Sequence, residues 1–187
     1  MQKKPIKTQT GTSLIEIMLT ISIFIILGAL TLNIFKSTVE AQKSAIAGQN
    51  TQENLRYLFE IMSKEIRSAI IMNKDCNGAS DKEIYFTTGT GVNGHLFFKN
   101  KEGQCVEYYL NNNKLEIKRD ADVLPVTPND IEITKLDFVV TDNVNNPSPP
   151  RTIQSRVTIK IETEAVNAGS HSQPTVMQTT VSSRHYE

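Results

Sequence analysis

The chain has 187 residues, enough for one compact domain plus an extension and short for two full domains. Lys plus Arg (20) equal Asp plus Glu (20), so no overall field gathers nucleic acid or another polyanion, and no direct nucleic-acid binding is expected. Trp is absent, aromatics make up 6% and mean hydropathy is −0.29, a polar average that conceals one concentrated apolar segment.

Residues 1–10, MQKKPIKTQT, carry Lys3, Lys4 and Lys7 without an acid, and by the positive-inside rule this end stays in the cytoplasm. From Leu14 to Leu32 the sequence LIEIMLTISIFIILGALTL supplies about 19 residues, close to 30 Å as a helix, which matches a bilayer core. Its Leu, Ile and Phe side chains favour insertion by about 4 to 7 kcal/mol against at most about 3 for Glu16. An ordinary secretory signal has a shorter apolar core followed by a small-x-small site, whereas here Gly28-Ala29-Leu30 runs on into further apolar chain.

The order of parts is distinctive: a basic leader, Gly11, then Thr12-Ser13-Leu14-Ile15-Glu16, then the apolar run. It resembles the type IV prepilin N-terminus, in which a dedicated membrane peptidase cuts after Gly and methylates the new amine. The resemblance implies a leader of residues 1–11, N-methylation of Thr12, and Glu16 as the fifth mature residue. A carboxylate near the end of a lipid-facing helix is costly unless a cation compensates it, and a freed α-amine is such a cation. In the family the fifth-position Glu meets the N-terminal amine of an adjoining subunit, so Glu16 would set filament register. The competing reading has Glu16 snorkelling to the headgroups of an ordinary signal anchor. Two departures from the family are Thr12, where Phe or Met is commoner, and Asn33, where many major pilins carry a helix-bending Pro. The second points to a minor subunit.

No Pro occurs between Pro5 and Pro125, so one helix of up to about 60 residues is allowed from Thr12 to about Met72. Leu55, Leu58, Phe59, Met62, Ile66, Ala69 and Ile70 fall at three-four spacing while Arg56, Glu60, Lys64 and Arg67 take other faces, the pattern of a helix lying on a sheet. Residues 36–54 are polar with small side chains, and weak helix is expected there. Segment Asn54–Ala69 is similar to the region after the anchor in J-type pseudopilins and W-type minor pilins, and the tail TVMQTTVSSRHYE is similar to the terminal strand of many such subunits.

Beyond Asp75 the pattern changes to short β-prone runs: Glu83–Thr88, His95–Asn100, Cys105–Leu110, Lys114–Arg119, Ile131–Thr141, Ile153–Glu164 and Thr175–Arg184, six or seven strands in an antiparallel meander. Asn111-Asn112-Asn113 reads as a hairpin turn. Gly89 to Gly94 formally matches a dinucleotide-binding G-x-G-x-x-G, but a strand rather than a helix follows, and a hairpin loop is expected. His95, His171 and His185 fit no metal spacing. The loop Asp142–Asn146, and Asp120 with Asp122, carry oxygen ligands that could hold Ca²⁺, but surface turn chemistry is the better account of them. Cys76 and Cys105 can pair only if this region is exported; unpaired core residues are the alternative.

The sequence thus predicts an α+β, pilin-like fold: residues 12–35 form the transmembrane or filament-core half of one long helix, and residues 36–187 an extracytoplasmic domain with an antiparallel sheet. The resemblance implies a non-enzymatic minor pilin or pseudopilin that assembles into or primes a type IV pilus, a type II secretion pseudopilus or a DNA-uptake pilus. Its partners would be the prepilin peptidase, other pilin or pseudopilin subunits, an inner-membrane assembly platform and, before assembly, membrane lipid. It would sit in the cytoplasmic membrane with its N-terminus inside, then at the cell surface or in the periplasm within a filament. No cofactor and no metal are expected. A permanently anchored single-pass surface binding protein is the alternative.

Overall fold

A computed structural model describes residues 11–72, 76, 83–89, 93–141, 154–166 and 174–184. The chain divides into two compact units, residues 1–42 and 43–187, and one helix, α1 (Leu14–Arg67), contributes to both. Ser13 starts it, its carbonyl accepting the Glu16 N–H at 3.0 Å and the Ile17 N–H at 3.3 Å. The Ser13-x-x-Glu16 spacing is that of a capping box. In the first unit every large apolar side chain from Leu14 to Phe35 is exposed.

The helix continues without a break through residues 36–54, where weak helix was expected. Ala41, Ala45 and Ala47 with Gln and Glu are good helix formers, and the Thr51 hydroxyl is satisfied by the Ala47 carbonyl at 2.9 Å. In the second unit the apolar stripe is buried as its spacing requires: Leu55, Leu58, Phe59, Met62, Ile66 and Ala69 all lie in the core. The helix ends at Arg67 rather than near Met72 because its last carbonyls find other partners. Ser68 bonds back to Glu65 O, the Tyr85 hydroxyl donates to Ile66 O at 2.8 Å, and the Arg184 N–H donates to Arg67 O at 3.1 Å. Ile70 N–H then donates to Lys99 O at 2.9 Å, drawing the chain into the sheet.

Eight antiparallel strands follow among the described residues. β1 (Tyr85–Thr88), β2 (His95–Lys99), β3 (Cys105–Asn111), β4 (Lys114–Arg119) and β5 (Asp122–Pro125) form one meander in chain order. β6 (Ile131–Thr141), β7 (Arg156–Ala165) and β8 (Thr175–Ser182) form a second sheet. Two sheets replace the one expected, and β5 is an addition. All four of its residues are exposed, so it lacks the in-out alternation by which a strand is recognised.

Asn112 and Asn113, at φ of 47° and 61°, make the two-residue turn between β3 and β4, the positive-φ pair that such hairpins require. Gly89, at φ +71°, sits where a Cβ would meet Asn93 O at 2.0 Å. The hairpin continues directly into β2 with Thr88 opposite His95, so a strand follows the glycine-rich loop. The core is built from the helix stripe with Leu96, Phe98, Tyr108 and Ile117 of the first sheet and Leu136, Ile159, Ile161 and Val181 of the second. The fold is α+β: a long N-terminal helix, apolar in its first part, and antiparallel sheets.

Candidate functional site

Gly11, Thr12 and Ser13 precede the helix and are exposed, so the bond after Gly11 is presented in non-helical chain. Glu16 lies in the first helical turn, also exposed, where the positive end of the helix dipole favours a carboxylate. It is the sole charged residue from Leu14 to Phe35. The hydroxyl residues beyond it add little cost in lipid, because they bond within the helix: Thr20 to Ile17 O, Ser22 to Met18 O and Thr31 to Leu27 O, each at 2.8 Å. Hydroxyl groups satisfied this way and backbone groups paired along the helix meet the central requirement of a bilayer-spanning segment. The helix is long and apolar enough to cross a membrane, and none of its most apolar window is buried. An apolar surface of this extent in water would drive association. The basic residues Lys3, Lys4 and Lys7 lie outside the described residues.

In the second unit the helix is fastened to the first sheet by a cluster that the periodicity did not reveal. Arg119 Nε and Nη2 donate to Glu65 Oε1 and Oε2 at 2.9 and 3.1 Å, and the Tyr108 hydroxyl donates to Oε2 at 2.7 Å. Burial first, and then the facing Glu65 carboxylate, push the Tyr108 phenol far above its usual range. The hydrogen bond to Glu65 raises the Arg119 guanidinium as well. The available signal was faint: Glu65 immediately precedes a buried stripe position, and Tyr108 shares the inward parity of Val106. The cleft beside this cluster, about 560 Å³, is rimmed by Lys64 and Lys101. Each has an acidic partner, Glu60 at 2.7 Å and Glu102 at 3.5 Å, so the charges there are matched within the chain.

Cys76 and Cys105 form a disulfide with their Cα atoms 5.6 Å apart, resolving the choice that composition left open. Cys76 is buried with Met72 against Phe86. Asp120 occupies a turn at φ 50°, its Oδ1 accepting the Cys105 N–H at 3.0 Å, which is turn chemistry. His95 Nδ1 lies 2.7 Å from Glu107 Oε1 in a cross-strand pair. The loop Asp142–Asn146, His171 and His185 lie outside the described residues.

No protein-family model, no curated protein and no solved structure matches this chain.

Proposed function

We propose that the protein is a membrane-anchored, pilin-like structural subunit, processed between Gly11 and Thr12 and assembled through its apolar helix into a filament of the type IV pilus or pseudopilus kind. The observation that carries this reading is the arrangement at the helix start. An exposed, non-helical Gly11-Thr12-Ser13 leads into an unburied apolar stretch of helix, Leu14 to Phe35, whose one charge is Glu16 in the first turn. In a signal anchor an acid there serves the helix start alone, whereas a subunit whose neighbour presents a new α-amine also gains a compensated ion pair in an apolar surround. The Cys76–Cys105 bond supports placing the second unit in an oxidising, extracytoplasmic compartment. Asn33 in place of a helix-bending Pro supports a minor subunit, with the peptidase, other subunits and an assembly platform as partners.

Intact mass and N-terminal sequencing of the protein from cells with an active prepilin peptidase test the reading. The expected product starts at N-methylated Thr12. Material that still starts at Met1 in such cells overturns the processing step and favours the permanently anchored binding protein.

A further inference from the structure

The margins of a β-sheet are where unpaired N–H and C=O groups can recruit another chain, and native folds blunt them with shortness, Pro, bulges or charge. Three margins here are blunted. β5 is four residues long and ends in Pro125, and β1 is equally short. β6 is irregular between Ile133 and Lys135, and its Ile133 N–H is taken by Asn113 O at 2.8 Å. β8 has none of these devices. Its eight residues, TVMQTTVS, hold no charge and no Pro, and their register with β7 runs unbroken from Arg156↔Ser182 to Thr163↔Thr175. Among the described residues β7 is its one strand partner.

The direction of the free groups follows from the ladder. Ser183 N–H donates to Ser155 O at 2.9 Å, a hydrogen-bonded pair one step beyond the strand. Bonded and non-bonded pairs alternate in an antiparallel ladder, so Thr175, Met177, Thr179 and Val181 bond to β7. The N–H and C=O groups of Val176, Gln178, Thr180 and Ser182 therefore point to the open side.

We propose that this margin pairs with the same margin of a second copy of the chain, β8 antiparallel to β8 about a twofold axis at Thr179. The strand's own sequence favours this occupant, because the two pairs nearest that residue are matched, with Val176 opposite Ser182 as the one apolar–polar pair. Gln178 falls opposite the second copy's Thr180, polar against polar, and Met177 opposite its Val181, apolar against apolar. No like charges meet, since the strand has none. Each bonded pair exchanges two hydrogen bonds, about eight in all, and the interface is isologous and closes as a dimer. Two three-stranded sheets become one of six strands. The inference is independent of processing at Gly11.

Sedimentation of the full chain in detergent micelles over a range of protein concentrations tests the pairing. Gln178→Pro removes an N–H that points away from β7, a position where an edge strand tolerates Pro, so the fold survives. Self-association is expected to weaken tenfold or more while thermal unfolding is retained. The double substitution Gln178→Lys with Thr180→Lys leaves the backbone intact, sets like charges opposite each other across the axis, and should weaken association similarly. A chain that is monomeric at every concentration has this margin capped from within and overturns the proposal. So does a dimer indifferent to both changes, which would be held by the anchor helix instead.

Discussion

Glu65 on α1 and Arg119 at the end of β4 lie 54 positions apart in the chain and meet in a two-pronged ion pair at 2.9 and 3.1 Å. The planar guanidinium matches both carboxylate oxygens, and the buried Tyr108 hydroxyl adds a third donor to the same carboxylate. One side chain thereby fixes the rotation and axial position of the helix on the first sheet.

Glu65→Ala is therefore expected to lower stability by about 2 to 4 kcal/mol, because it strands a buried phenol and half-buries an unpaired cation. Arg119→Met should cost less, about 1 to 2 kcal/mol, since the carboxylate it leaves, 13% exposed, keeps the Tyr108 hydrogen bond. Urea midpoints of the full chain in micelles measure both. Equal losses would mean that the cation, and not the phenol, depends on Glu65.

Tyr108 predicts an alkaline limb. Its folded-state pKa is raised by burial and by Glu65, so the unfolded chain loses this proton first, near pH 10. The contribution is fully present below that pH and declines above it by about 1.4 kcal/mol per pH unit. Tyr108→Phe should be less stable at pH 7 by about 1 to 3 kcal/mol, yet fall less steeply above pH 10. Parallel slopes for the two proteins between pH 10 and 11 would remove Tyr108 as the cause. The Tyr109 phenol, pushed up to about 12 by its hydrogen bond to Glu116, is partly buried and acts in the same direction.

Cys76 and Cys105 are separated by 29 positions, and closing a loop of that size restricts the unfolded chain by about 3 to 4 kcal/mol on the chain-entropy account. Replacing both by Ala, or reducing the bond, should destabilise the second unit by up to that amount without altering membrane insertion. Denaturation with and without dithiothreitol checks it, and identical midpoints would show the bond to be energetically idle.

Under the proposed function, substitutions at Gly11 and Glu16 test processing and register separately. A bulky residue at position 11 should leave the leader attached, seen as a retained mass for residues 1–11. Glu16→Val should insert into the membrane at least as well, since the carboxylate is the costly group in the span, while its incorporation into filaments fails. Unhindered incorporation of that variant would remove the register role.

Local chemistry made much of this protein legible in its sequence. The long apolar helix start follows from the run of apolar residues, the buried helix face from three-four spacing, and β7 from the alternation of Val157, Ile159 and Ile161, all of them buried. The Asn112-Asn113 turn needs only positive φ. Each of these depends on residues within a few positions of one another, which is why period and composition suffice. The tertiary structure alone decided what depends on distant partners. Only it shows that the strands divide into two sheets, that β5 is held through pairing with β4 although its side chains are exposed, and that the helix stops at Arg67 because Tyr85 and Arg184 take its last carbonyls. The pairing of Cys76 with Cys105 and the meeting of Glu65 with Arg119 belong to the same class: a side chain's identity states what it can bond, and the fold determines which partner comes within reach.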